Sequence, residues 1–391
     1  MQLTYHLTKA CNLRCQYCYY SDFGAPRMPF ATAIQAADQI IALGHEHLGV
    51  TFFGGEPLLC KNLIQQLVPE LKARCASRNV GVNFKIPTNG LLLDEPFLEF
   101  CEEHGIFISL SIDGDEQAHG DRVRPDGTSS YSQVERAFHL LASNATTFAT
   151  YSVVTPRNVA RLAGSIECLY QRGARILITA LDYGAPWTRK ELRILEKQYK
   201  VLAEFYVNET LAKRHFYLSA FDAKILAHSR PDHGEDTVCR IGTNQFSVAP
   251  DGTYFPCIQF VDKPEFTVGH VSKGIDIERC RTLYQRSAPS DPSCQHCGIL
   301  DRCSHHCACV SFQSTGTLDG IPPLVCEHER LLTPIADQVA RRLFRQRAPL
   351  FINKQYNPAY DMLRTVEEII RQNGKESSNE TVTSETVTGK L

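Results

Sequence analysis

Absences narrow the field first. No stretch of the 391 residues approaches the run of about 18 apolar residues that a membrane-spanning helix needs. The opening residues, MQLTYHLTKAC, lack the apolar core of a secretory signal. Neither sign of charge is in excess: 41 Lys and Arg face 43 Asp and Glu, for a net charge of −2, so nucleic acid and anionic membrane are not expected partners. No internal repeat recurs. These absences predict a globular protein of the cytoplasm, long enough for two or three domains. What the chain does have is cysteine, 16 of them. In a reducing compartment so many thiols point to metal ligation rather than to disulfides.

Residues 1–181 alternate strand and helix signals. Short apolar or β-branched runs fall at Leu3–Thr8, Leu48–Phe53, Val82–Pro87, Ile106–Ile112, Phe148–Val154 and Arg175–Leu181, with helical patterns between them at Thr32–Leu43, Glu95–His104, Tyr131–Ala142 and Val159–Arg172. Six β/α repeats predict an α/β fold with a parallel sheet, a partial (β/α)6 TIM-like barrel. Residues 186–228 read as helix. From about 233 the texture changes to short strands punctuated by Gly, Pro and Cys, followed by helices at Glu327–Gln346 and Pro358–Gln372. The expected organisation is a barrel over 1–215, a small Cys-rich α+β module over 216–330, C-terminal helices over 331–372 and a disordered Ser/Thr/Glu-rich tail over 373–391.

The unusual residues follow predicted strands. After the first come Cys11, Cys15 and Cys18, spaced C-x3-C-x2-C with Tyr17 before the last. After the second comes Gly54-Gly55-Glu56-Pro57, after the third Thr88-Asn89-Gly90, after the fourth Asp113-Gly114 and after the fifth Thr155-Pro156. In barrel-like folds these loops share one rim, where sites sit. Full ligation of a four-iron cluster takes four protein ligands, so three thiolates leave one iron open for chemistry. Zinc completed by His6 is the alternative, and it leaves the Gly54–Pro57 loop unexplained.

This arrangement resembles the radical S-adenosylmethionine (SAM) superfamily over about residues 1–215. The resemblance implies a SAM-binding [4Fe-4S] cluster on Cys11, Cys15 and Cys18. Gly54 and Gly55 would lie close to the methionyl part of SAM, Glu56 would pair with its ammonium group, and Asn89, Ser111 and Arg136 would line the pocket. A solvated helix charge is the competing reading of Arg136.

Downstream stand Cys239, Cys257, Cys294-x2-Cys297-x5-Cys303-x3-Cys307 and Cys326. This set is similar to the SPASM module that follows radical SAM domains in peptide- and protein-modifying enzymes; a pair of zinc ribbons is the alternative. The resemblance implies two auxiliary [4Fe-4S] clusters, three in all. Cys294, Cys297, Cys303 and Cys326 would close one. Cys239, Cys257 and Cys307 would hold the other, with His233, Cys280, Cys309 or the substrate as its fourth ligand. Cys60, Cys75, Cys101 and Cys168 read as small apolar residues.

The implied activity is oxidative modification of a peptide or protein by a 5′-deoxyadenosyl radical, with a flavodoxin or ferredoxin as electron donor. With the tripod starting at residue 11, a leader peptide would be held by the catalytic face, the C-terminal helices or a separate binding protein. Formylglycine formation in a sulfatase is the alternative. Against it stand Ile258 after Cys257, where those maturases carry Asp, and Phe53 before the glycines, where they tend to carry Gln. No general base stands out; Asp113, Asp182 and Tyr183 fall near the rim. A non-enzymatic iron–sulfur or zinc scaffold is the remaining alternative.

Overall fold

A computed structural model describes residues 1–20, 26–144, 146–229, 241–287, 292–294, 296–303 and 307–357. Six parallel strands, β1 (Gln2–His6), β2 (His47–Phe53), β3 (Gly81–Thr88), β4 (Ile106–Ser111), β5 (Phe148–Val154) and β6 (Ile176–Leu181), lie side by side in sequence order, and a short β7 (Tyr217–Leu218) extends the series. Parallel neighbours need a crossover, and crossovers are right-handed. Six in one direction therefore put every helix on the same face of the sheet. These helices are α1 (Phe30–Ile41), α2 (Lys61–Ser77), α3 (Glu95–His104), α4 (Tyr131–Ser143), α5 (Leu162–Gln171) and α6 (Arg189–Leu211). Their apolar sides meet the strands in one core that includes Tyr5, Phe52, Phe84 and Phe138. The expected β/α alternation is thus found, with one helix, α2, beyond those named from periodicity. α3 has its expected limits because Asp94 accepts from the Phe97 N–H at its start and Gly105, at φ +65°, ends it in the left-handed conformation.

The Cys-rich part continues the same sheet. After α7 (Ser219–Ser229), β8 (Gln245–Val248) pairs in parallel with β1, from Gln2↔Gln245 to Tyr5↔Val248. β9 (Thr253–Phe255), β10 (Gly269–His270) and β11 (Gly274–Ile275) follow antiparallel, giving the order β11-β10-β9-β8-β1-β2-β3-β4-β5-β6-β7. Three further helices, α8 (Ile277–Arg286), α9 (Ala308–Thr315) and α10 (Pro323–Arg345), precede the short α11 (Pro349–Tyr356). α10 starts four residues before the expected Glu327, with Pro323 in its first turn, where proline's missing N–H costs nothing. It therefore carries Cys326 and runs across the 330/331 boundary drawn from sequence. It packs on α6 through the Arg342–Glu204 ion pair and on α7 through the buried Lys224–Glu329 pair, 2.6 Å apart. The helix expected at Pro358–Gln372 and the tail lie outside the described residues.

Candidate cluster and cofactor site

The loop after β1 carries Cys11, Cys15 and Cys18, and two other loops fix its shape. The backbone N–H groups of Gly55 and Glu56 donate to the carbonyls of Thr8 and Ala10, both at 2.9 Å. This close approach is why glycines are needed. A Cβ on Gly54 would lie 2.2 Å from the Thr8 carbonyl oxygen, and one on Gly55 would lie 2.3 Å from that of Ala10. Gly54 also sits at φ +134°. The segment between β4 and α4, far longer than the 2–6 residues or so usual for a βα loop, closes the other side. Its Val123 and Asp121 carbonyls accept from Arg14 N–H at 2.7 Å and Gln16 N–H at 2.9 Å.

Donors are aimed at all three sulfurs. The Leu13 N–H lies 3.3 Å from Cys11 Sγ, and the Asn89 amide lies 3.8 Å from it. Burial pushes the Cys15 and Cys18 thiols up, while the nearby Arg122 guanidinium and Tyr20 N–H favour their thiolates. Thiolates are what iron binds. As a free thiol, Cys11 is pushed up to about 12 by burial, so ligation has to remove its proton. Among the described residues no three His, Cys, Asp or Glu side chains close around one point as a single metal ion requires; a four-iron cube takes one thiolate per iron. The donor set fits such a cluster.

Glu56 is buried and both its oxygens are engaged. Oε1 accepts from Leu58 N–H at 2.9 Å and Thr88 O–H at 2.7 Å, and Oε2 accepts from Asn89 N–H at 2.8 Å. It ties the loops after β2 and β3 together, where sequence reasoning aimed it at a ligand's ammonium group. Asn89 in turn donates to Asn12 Oδ1 at 2.8 Å, beside Cys11. Ser111 sits half-buried at the end of β4. Arg136 is exposed on α4 and is not brought to this group.

Sequence reasoning passed over Arg122. Its buried guanidinium holds Asp113 through Nε to Oδ2 at 2.9 Å and Nη2 to Oδ1 at 3.1 Å, and it stacks 5.2 Å over the Tyr17 ring. Tyr17 O–H and Val153 N–H complete Asp113 at 2.7 and 2.8 Å. Asp113 is therefore a structural acceptor with four donors rather than a free base. The long β4–α4 loop was the available signal. Of the other rim groups, Asp182 accepts from Gly184 N–H at 3.0 Å, and burial raises its carboxyl above the usual range. Tyr183 O–H meets His328 Nδ1 at 3.1 Å.

The downstream cysteines gather in two groups. Cys294, Cys297, Cys303 and Cys326 line one cavity with Ile299, Leu300, Glu329 and Arg330. Cys257, at the end of β9, meets Cys307 and Cys309 at the start of α9. Cys239 and His233 lie outside the described residues. Cys280 is buried against Gly242 instead. Cys60, Cys75 and Cys101 are buried in the core as expected, and Cys168 is half-buried. Three tyrosines stand near these thiols. Burial raises Tyr19, Tyr151 and Tyr183 above the usual phenol range, and nearby sulfurs add to it: Cys18, Cys257 and Cys309 for Tyr19, Cys307 and Cys309 for Tyr151, and Cys307 and Cys303 for Tyr183.

Residues 5–167, which carry the tripod and the Gly54–Glu56 loop, match the family model of the radical SAM superfamily. The chain is also similar to anaerobic sulfatase-maturating enzymes. It is 34% identical over 175 residues to the serine-type enzyme of Klebsiella aerogenes, an overlap that takes in 43% of each chain. It is 26% identical over 275 residues to the cysteine-type enzyme of Clostridium perfringens, covering 65% of this chain and 73% of that one. The chain thus spans less than half the length of the Klebsiella relative. The solved structure of anSMEcpe with bound AdoMet and the Cp18Cys peptide has the same fold, with a TM-score of 0.74 at 22% identity over 88% of this chain and 99% of that one.

Proposed function

We propose that this protein is a radical SAM/SPASM oxidoreductase that modifies a peptide or protein substrate and carries three [4Fe-4S] clusters. The cluster on Cys11, Cys15 and Cys18, with SAM on its open iron, would supply a 5′-deoxyadenosyl radical that takes a hydrogen atom from the substrate. Gly54 and Gly55 seat the Glu56 loop against the tripod, Glu56 and Asn89 brace the pocket, and Arg122 with Tyr17 fixes the third side. Cys294, Cys297, Cys303 and Cys326 are the ligands of one auxiliary cluster, and Cys257 and Cys307 belong to the other. The single observation that carries this reading is the seating of the Gly54–Glu56 loop on the tripod loop, with Gly55 and Glu56 N–H groups on the Thr8 and Ala10 carbonyls and Asn89 beside Cys11.

The relatives' names and the structure of anSMEcpe with a bound peptide support a polypeptide substrate. They also keep formylglycine formation as a second reading, against which Ile258 occupies the position after Cys257. A flavodoxin or ferredoxin would supply the electron. No helix among the described residues is long and apolar enough to cross a membrane, and a cytoplasmic place is part of the proposal.

The test is anaerobic incubation of reconstituted protein with SAM and dithionite. 5′-Deoxyadenosine and methionine are expected; their absence while the cluster is demonstrably reduced would sink the reading. Adding a sulfatase-derived Cys or Ser peptide separates the two readings, since only formylglycine formation converts that side chain to an aldehyde.

A further inference from the structure

The geometry points to Cys309 as an iron ligand of the auxiliary site that holds Cys257 and Cys307. This rests on the cluster reading above and adds a ligand to it. The sequence left that site one ligand short, with Cys280, Cys309, His233 and a substrate thiolate all open.

The described residues separate Cys309 from Cys280. Cys309 Sγ stands 3.2 Å from Cys307 Sγ, and Cys257 lies beside the pair, close enough to shift its acidity, although the three do not close around a single metal ion. The run Cys307-Ala308-Cys309 puts the first two at the start of α9, with Cys307 as its N-cap. A helix N-terminus presents free N–H groups and a positive partial charge, which favour thiolates. The surrounding backbone follows the same logic. The Cys309 and Val310 N–H groups are directed at the Cys307 sulfur, and the Ile258 and Gln259 N–H groups at the Cys257 sulfur. Hydrogen bonds of this kind to ligating sulfurs tune iron–sulfur sites. Cys280 does not take part: its Cβ and Sγ pack 3.3 and 3.5 Å from the position of a Cβ on Gly242, in the apolar core. Cys309 belongs to the same buried core, but its sulfur faces that of Cys307.

The consequence is chemical. A protein thiolate here takes the place that a substrate thiolate would otherwise need, so the site relays electrons and does not grip the substrate. Each thiol releases its proton to solvent on binding iron, and no oxidant is needed.

The test compares full-length wild type, Cys309→Ala, Cys309→Ser and Cys280→Ala after anaerobic reconstitution. Iron and sulfide per chain are counted, and the EPR spectrum of the dithionite-reduced protein is recorded. Wild type is expected to hold about twelve irons, four per cluster. Cys309→Ala is expected to lose about a third of them, or to keep them with an altered auxiliary EPR signal; Cys280→Ala is expected to match wild type. Circular dichroism shows whether Cys309→Ala folds; if it does not, Cys309→Ser carries the comparison, with a shifted EPR signal expected. Wild-type iron and EPR in both Cys309 variants, or the same loss in Cys280→Ala, would overturn the assignment alone. A wild-type count near four irons would overturn the auxiliary-cluster reading and the assignment with it.

Discussion

Exchanging Asp113 for Asn removes one charge and almost no volume, yet it should be among the costliest single changes in this fold. All four partners of the carboxylate are donors: Arg122 twice, Tyr17 O–H and Val153 N–H. An amide has to turn its NH2 toward one of them, where two donors meet, and Arg122 keeps its charge in a buried site. Side-chain exposure of the pair is 7% and 0%, so solvent screens little. Breaking a buried pair on one side costs about 3–5 kcal/mol. Arg122→Met should cost a similar amount, because it strands the carboxylate and also forfeits the stacking on Tyr17, itself worth about 1–2 kcal/mol when desolvated. The double variant Asp113→Asn/Arg122→Met carries no buried charge. Its loss should fall short of the sum of the two by about 2 kcal/mol or more, in the range of coupling measured for contacting residues. The assay is anaerobic urea unfolding of all four proteins at pH 7.5, fitted with a common slope. Single-variant losses that add within about 0.5 kcal/mol, or that stay below about 1 kcal/mol, would refute the claim that this pair holds the tripod loop through Tyr17.

Three further outcomes are expected. Gly55→Ala needs the loops after β1 and β2 to part by about 1 Å, an overpacking cost of about 1–3 kcal/mol, so melting temperature, iron retention at the tripod and 5′-deoxyadenosine yield should fall together; a variant matching wild type in all three would show that the glycine is not needed for the seating. Glu329→Gln should destabilise by removing the buried counter-charge of Lys224, whereas Glu329→Gln with Lys224→Met should recover much of the loss in the same urea assay; no recovery would count against the pair. His119 is held down to about 4 by burial, then by Arg122. Its unfolded form binds the proton first as pH falls from about 6.5, so stability is full above that pH and is lost on acidification toward 4. The loss at pH 5.5 comes to about 1.4 kcal/mol. His119→Gln should flatten the stability profile between pH 7.5 and 5.5, and a slope equal to wild type would exclude His119 as its source.

What the sequence made legible was local. The tripod, the Gly54–Glu56 loop and Asn89 could be placed because each follows a short apolar strand and has a spacing set by its own chemistry. α3 could be bounded because Asp94 and Gly105 state its ends within the chain. α2 was harder, since Pro69 interrupts its pattern and its polar residues are spread around it. Arg122 was hidden because its meaning comes from Asp113 and Tyr17, partners that only folding brings near. Cys309 was indistinguishable from Cys280 in the chain, and only the position of α9 separates them. The same limit applied to β8. Nothing in Gln245–Val248 announces that its partner is the first strand, nor could the extent of α10 be read when Pro323 was taken to lie outside it.

The pairing of β1 between β2 and β8 sets an order of events for the growing chain. β2 emerges soon after β1, but Gln2 meets Gln245 only after about 240 further residues have been made. At roughly 5–20 residues per second this takes about 12–50 s. Throughout that interval β1 offers an unpaired edge, the kind of surface that recruits other chains, next to the loop that carries Cys11, Cys15 and Cys18. That edge is covered only when β8 docks along Gln2–Tyr5.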